Sequence, residues 1–206
     1  EGTKMINFKF NKKGVVKNCD NAIKHCRGDI VFLSDQDDIW EKNKLERMTK
    51  TLEDNPQINV LACNLKPLYE NGATKLADFY IENYGDDYVA PVRLKDHGFT
   101  VLRPGCTICF RSSIIPWVDV IWAPQLAHDA ALWAVGLVTK SLFIVNETLI
   151  HFRRHGNNNS PSNAKKIKPR LQRAECELIK ISGILNNSSF LSVDEEYAEY
   201  LRNLKV

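Results

Sequence analysis

The sequence predicts an α/β/α sandwich on a mostly parallel sheet. Two observations lead there. Strand-like and helix-like stretches alternate along the early part of the chain. One of them, Ile30-Val31-Phe32-Leu33, is a continuous apolar run between Gly28 and a group of acids. That is the pattern of a strand buried on both faces of a parallel sheet.

In chain order, Met5 to Phe10 alternates apolar and polar residues and reads as a short strand, with Lys12-Lys13-Gly14 as a turn. Val15 to His25 carries Val15, Val16, Cys19, Ala22 and Ile23 at helical spacing. Asp29 to Ser34 holds the buried strand. Lys42 to Asn55 is a helix with Leu45, Met48 and Leu52 on one face, stopped by Pro56. Asn59 to Leu68 is the next strand. Asn71 to Pro104 is irregular and polar, a length typical of functional or mobile connections. Thr107 to Phe110 is a strand, and the apolar stretch from Ile114 to Leu126 is broken by two prolines and Asp119. His128 to Val138 is a helix, and Leu142 to Val145 and Leu149 to Phe152 are two short strands. Pro169 to Leu185 and Val193 to Leu204 read as terminal helices. The expected division is a core over 1–160 and a helical extension over 161–206.

The 206 residues are 44% hydrophobic and 26% charged, enough for a real core in an ordinary globular chain. A net charge of +3 is too small to argue for nucleic acid, and no apolar run reaches the length of a membrane span. The six cysteines are spread out rather than clustered, which reads as buried free thiols in a reducing cytoplasm. Cys106 and Cys109 have zinc-knuckle spacing, but no second pair follows to complete four ligands.

Asp35-Gln36-Asp37-Asp38 follows the buried strand directly. Ligands of open α/β sheets bind at the carboxyl ends of strands. Carboxylates crowded there repel one another and favour a hard cation such as Mg²⁺ or Mn²⁺, which leaves positions for phosphate oxygens. The alternative is a solvated loop in which Asp38 or a neighbour caps the helix starting near Glu41. Pro104-Gly105-Cys106-Thr107 is either a simple turn or a place of close backbone approach. His128-Asp129 opens an apolar helix, where Asp129 also suits a helix cap. Arg153-Arg154-His155 is either a basic surface turn or an anion-binding segment.

The run from Gly28 to Trp40, followed by Lys44-Leu45, resembles the DxD segment of family 2 glycosyltransferases of the GT-A type. It is most similar to those that build bacterial surface polysaccharides, including rhamnosyltransferase-like members. Gly14 to Asn18 resembles the family's preceding helix, Gly105 its glycine segment, His128-Asp129 its ED/HD pair and Arg153 to His155 its late R-x-H segment. The three motifs DxD, HD and RxH stand in the family's order. Ala130-Ala131 replaces the aromatic pair common after the acid, and Trp133 follows.

The resemblance implies an inverting transfer from a nucleoside-diphosphate sugar to a saccharide or lipid-linked acceptor, with Asp129 as catalytic base. It implies a divalent metal, Mn²⁺ or Mg²⁺, on Asp35, Asp37, Asp38 and His155. Asn18, Trp40, Gly105, His128, Arg153 and Arg154 would contact substrates. It also implies that the family's first strand-helix-strand unit is absent, so exposed apolar surface or a homodimer is expected. A cytoplasmic protein follows, with peripheral contact at the inner membrane face through Lys165, Lys166, Lys168, Arg170 and Arg173. The alternatives are a non-catalytic module binding a metal or sugar nucleotide, a nucleotidyltransferase-like enzyme, and a partner-binding scaffold.

Overall fold

The computed structural model describes residues 15–73, 75–123, 126–155 and 167–203. The strand expected at Met5 to Phe10 and the loop at 157–161 lie outside them, as do the side chains of the basic segment from Lys165 to Arg173. The elements are α1 (Val15–Lys24), β1 (Ile30–Phe32), β2 (Ile39–Trp40), α2 (Lys44–Asp54), β3 (Val60–Tyr69), β4 (Val89–Pro91), α3 (Leu94–His97), β5 (Ile108–Arg111), α4 (Ile115–Ile121), α5 (His128–Val138), β6 (Leu142–Arg154), α6 (Ile167–Asn186) and α7 (Glu195–Asn203).

The strands form one mixed sheet in the order β1-β5-β3-β6-β2, with β4 also pairing β6. Strand β3 organises it. Val60 to Leu65 are all buried, and alternate side chains face opposite layers. Val60 and Ala62 join a core with α4, α5, Ile184 of α6 and Leu201 of α7. Leu61, Cys63 and Leu65 join a second core with Met48 and Leu52 of α2. Helix α5 is apolar all round and buried from Ala131 to Val138, as such a helix must be. Gly136 lets it lie close on the sheet: a Cβ there would meet Leu142 Cβ at 2.9 Å and Val60 Cβ at 3.1 Å.

The parallel majority does not hold. Among the described pairings, β3 with β6 is parallel over a long register. The pairs β1–β5, β3–β5, β2–β6 and β4–β6 are antiparallel. Alternating strand and helix patterns specify layers but not strand direction. Parallel neighbours need a long crossover, usually a helix. The link from β3 to β5 carries short elements and returns the chain antiparallel. Strand β1 therefore ends the described strand order, and Val31 is its buried residue while Ile30 and Phe32 are half-buried.

Two further expectations change. The stretch after Ile114 contains a helix, α4, because Pro116 stands in its first turn, where a proline's fixed φ suits a helix and its missing N–H is not needed. The two short strands expected after Leu142 are one strand, β6. Its register against β3 jumps around Cys63, Asn64 and Leu65, a bulge that turns Asn146 outward. Asn146 N–H then donates to Tyr88 O at 2.8 Å. The Asn146 amide bonds Tyr84 O, Asp87 O and Tyr84 N at 2.7–2.9 Å.

The polar segment 71–104 is held firmly at its far end. Arg103, 1% exposed, donates to Asn64 Oδ1, Phe79 O and Glu82 O. Helix α6 crosses α4 closely at Gly183, and its buried Lys180 lies 4.9 Å from the Phe99 ring.

Candidate active site

Four chain ends converge at one edge of the sheet: the loop after β1, the turn at 105–107, the start of α5 and the end of β6. The loop 33–38 carries the acids. It is fixed from β6, because Asp38 Oδ1 accepts the backbone N–H of Arg153 at 2.9 Å and Asp37 O accepts Arg153 Nε at 2.9 Å. Arg153 Nη1 pairs with Glu70 at 2.8 Å. Asp38 is thus not a helix cap. Helix α2 starts at Lys44 behind Asn43, which makes no side-chain cap bond.

The four expected metal ligands fall into two groups. Asp37 Oδ2 lies 3.2 Å from His155 Nε2. Asp35 is exposed and Asp38 half-buried, and an oxygen of each lies within 4.8 Å of the other and of Cys106 Sγ. Burial raises the carboxyl pKa of both, Asp38 adds to the effect on Asp35, and the Arg153 hydrogen bond opposes it at Asp38. The Cys106 thiol hydrogen-bonds the Asp38 carboxylate, which opposes burial in setting the Asp38 pKa. Two carboxylates this close to each other favour a hard cation. Asp35 and Asp38 would hold the family's metal here, with Asp37 and His155 alongside.

Asp129 sits in the first turn of α5, with Ala127 in the cap position. Its Oδ1 accepts the backbone N–H of Ala130 at 2.8 Å. Burial raises the Cys19 thiol pKa, with Asp35 and Asp129 adding to it, and Asp129 adds to the rise at Asp35, so these groups lie within electrostatic reach of one another. Gly105 makes this possible. A Cβ on it would come within 3.1 Å of His128 Nε2, 3.3 Å of Asp129 Cβ and 3.7 Å of Asp129 Oδ2. His128 opposes the raised pKa of Asp35, while its Nδ1 is buried without a partner among the described residues.

The remaining candidates take different positions. Asn18 is exposed on α1, beside Cys19. Trp40 lies under the loop, its ring 4.0 Å from Lys44 Nζ and 6.1 Å from the Phe32 ring. Arg154 is 5% exposed, over the Phe152 ring, with Nε and Nη1 unpartnered among the described residues. His151 bonds Glu41 at 2.6 Å, in keeping with a structural histidine.

Two residues at the site escaped the sequence reading. Lys44, wholly buried, donates to Cys106 O at 2.8 Å and sets a positive charge beneath Asp38. Cys106 was expected to be an inert core thiol, yet its Sγ faces the acids. No local signal separates Lys44 from the surface lysines of an amphipathic helix.

A cleft of about 440 Å³ is lined by Phe79, Glu82, Tyr84, His97, Thr100 and Leu102. No helix among the described residues is long and apolar enough to cross a membrane.

Comparison with known proteins agrees with this architecture. The chain is 26% identical over 231 aligned residues to the bifunctional glycosyltransferase pgtA of Dictyostelium discoideum, covering 92% of this chain and 30% of that protein. The chain thus spans under a third of the relative's length. Its fold is similar to that of S. aureus TarS residues 1–349, with a TM-score of 0.60, 16% identity, and coverage of 94% of this chain and 50% of the other. The same TarS region in complex with UDP-GlcNAc gives a TM-score of 0.58 at 18% identity, covering 91% and 56%. The model of the family described as glycosyl transferase family 2 matches residues 1–116, more than half the chain. The fold is of the GT-A type, and the chain belongs to glycosyl transferase family 2.

Proposed function

We propose that this chain forms the reaction centre of an inverting transferase. It moves a sugar from a nucleoside diphosphate to a saccharide or lipid-linked acceptor, as in bacterial surface polysaccharide synthesis. The observation that supports it most is the packing of Asp129 against Gly105 within electrostatic reach of Asp35, where a carboxylate would serve as proton acceptor beside bound diphosphate. The TarS complex with UDP-GlcNAc favours a UDP-sugar as the first donor to try.

In this reading Asp129 accepts the proton of the acceptor hydroxyl as that oxygen attacks the anomeric carbon. The bond from that carbon to the β-phosphate oxygen breaks, and the nucleoside diphosphate leaves from the opposite face. A single base with direct displacement inverts configuration, as in inverting glycosidases. Bound Mn²⁺ or Mg²⁺ would neutralise charge on the departing diphosphate. Arg153 keeps the loop in position, and Arg154 and His155 favour an anion at the same edge. The cleft beside Tyr84 and His97 would take the rest of the acceptor. Leu102 lies three residues before Gly105, so at most about 11 Å separates their Cα atoms.

The test is product analysis with UDP-, dTDP- and GDP-sugars on the full-length protein. Free nucleoside diphosphate is expected, with Asp129→Asn lowering kcat about 10²–10⁴-fold while donor binding persists. Release of pyrophosphate would point to nucleotidyl transfer instead. Calorimetry with Mn²⁺ should show metal-dependent UDP binding that Asp37→Ala weakens.

A further inference from the structure

We propose that the cleft between Phe79 and His97 is a subsite for an uncharged saccharide, so that the acceptor is a hydroxyl-bearing sugar chain rather than a diphosphate-linked lipid. The inference rests on the reading that this chain transfers a sugar. It goes further in choosing between the two acceptor classes.

The cleft is built on the irregular segment before the 105–107 turn, and its walls are pinned from beneath. The buried Arg103 guanidinium donates to Asn64 Oδ1, Phe79 O, Leu102 O and Glu82 O. The Asn146 amide holds Tyr84 through both its backbone N–H and its carbonyl oxygen. On the other wall, Gly98 has a φ of 57° and donates its N–H to Leu94 O at 2.8 Å, which ends α3 and turns the chain from His97 towards Thr100. The backbone is thus fixed while the Phe79 ring stays 45% exposed. Loops held by a rigid scaffold are where binding groups are carried. A wall ordered before binding also lowers the entropic cost of taking a ligand.

The lining suits a sugar. A pyranose has an apolar C–H face and an edge of hydroxyls. Phe79 and Leu102 supply apolar surface, and the Tyr84 and His97 rings lie 5.5 Å apart at 57°. Aromatic faces carry the negative side of the ring quadrupole and attract polarised C–H groups. The Glu82 carboxylate and the Thr100 hydroxyl supply the few polar groups that orient a ligand in such a site, and about 440 Å³ falls within the usual range of small-ligand clefts.

The same lining disfavours a diphosphate, which calls for arginine or lysine. Among the described lining residues none is Lys or Arg, and Glu82 brings a negative charge. Arg103 lies beneath, but its nitrogens are engaged by neutral acceptors. Exposed Asp86 and Asp87 follow the cleft residue Gly85, and Arg93 and Asp96 act on Tyr84 with opposite charges. Leu102 stands three residues before Gly105, a reach of at most about 11 Å, so a sugar seated here can extend a hydroxyl towards Asp129.

The experiment uses saturation-transfer NMR on the full-length protein. The probes are the methyl glycosides of glucose, galactose, N-acetylglucosamine and rhamnose, with glucose 1-phosphate and decyl diphosphate as competitors. At least one glycoside should bind, with its C–H protons most strongly saturated, and a tenfold excess of either competitor should not displace it. Phe79→Ala should weaken it at least fivefold and Glu82→Gln at least threefold. Both side chains are exposed, so both variants should melt normally. Phe190→Ala, a comparably exposed aromatic that does not line the cleft, should change nothing. The proposal is overturned if no glycoside binds, if decyl diphosphate displaces the bound one, or if Phe79→Ala leaves binding unchanged. Should nucleoside diphosphate still be released from a donor in that event, the cleft assignment falls and the transferase reading survives. Glycoside binding that Phe79→Ala removes, with no nucleoside diphosphate released from any donor, would keep the saccharide cleft and refute sugar transfer.

Discussion

Replacing Gly105 by Ala separates a catalytic role of this glycine from a structural one. Gly105 is not among the glycines with positive φ, so alanine meets no backbone strain there. The added Cβ would approach His128 Nε2 at 3.1 Å and Asp129 Cβ at 3.3 Å, short of the ordinary 3.4–4 Å contact range. The neighbours must yield by about 0.1–0.3 Å to reach ordinary packing. The His128 ring end can swing. Asp129 Cβ is fixed in the first turn of α5 and can move only with that turn. A misplacement of 1 Å costs roughly 10²-fold in rate, so a shift of this size predicts a fall in kcat of about 1.5–4-fold. Stability should change by less than about 1 kcal/mol. The lower unfolded-state entropy of alanine, worth about 0.4–1 kcal/mol, offsets mild crowding. The assay pairs nucleoside diphosphate release by the full-length protein with a thermal melt of the same sample. Full kcat in a normally melting variant would refute the claim that Gly105 sets the position of Asp129. A loss of activity that only tracks loss of folded protein would refute it too.

Gly136→Ala supplies the contrast: contacts at 2.9 and 3.1 Å to Leu142 and Val60 lie wholly in the core, so it should cost about 1–3 kcal/mol in urea unfolding with kcat per folded molecule unchanged. Asp38→Asn should stabilise the metal-free protein at neutral pH. The raised carboxyl pKa means the folded state disfavours the ionised form. That penalty is absent below the ordinary carboxylate pKa, grows as pH rises towards the raised folded value, and persists above it. The melting point should therefore rise by up to a few degrees at pH 7, since about 1 kcal/mol corresponds to roughly 2–4 °C at this size, and the gain should vanish near pH 3. Added Zn²⁺ or Mn²⁺ should raise wild type and leave the variant unmoved. Arg103→Lys should cost about 2–3 kcal/mol, because one ammonium cannot serve the acceptors at Asn64, Phe79 and Glu82 together, and limited proteolysis should then cut the segment 76–100 faster.

Much of this architecture was legible in the residues. Helix α5 has the expected bounds, His128 to Val138, since an all-round apolar run opened by His-Asp leaves little choice. The acidic loop was legible because like charges beside an apolar strand are rare without a purpose. Strand direction was not legible, because the return of the chain to β5 depends on how segment 71–104 docks through Arg103 and Asn146. Both are polar residues that sequence logic assigns to the surface. Strand β6 looked like two strands because its bulge puts Asn146 and Glu147 mid-strand. Pro116 interrupts the apolar run after Ile114 without breaking the helix there, because it stands in the first turn. Cys106 was weighed with Cys109 for zinc-knuckle spacing and set aside, and its place beside the acids was not legible because a thiol facing acids and a thiol facing a core have the same local sequence.

The site works against the stability of the empty protein, and its construction shows how that is borne. Two acids whose pKa values are raised by burial stand close together beside a buried thiol, and ionising both is unfavourable without a cation. The compensation comes from groups with no freedom to leave. The Arg153 backbone N–H is fixed by the long β3–β6 pairing, and the Lys44 ammonium is held between Trp40 and the Cys106 carbonyl. Both elements reach into the α2-side core, so loosening the loop would mean breaking that core. A loop held this way cannot relax its carboxylates apart when empty, and the simplest way to relieve their repulsion is to bind positive charge. Its cation affinity is therefore built into the packing of β6 and α2. It should survive changes in the cleft at Tyr84 and His97, which lies outside this frame.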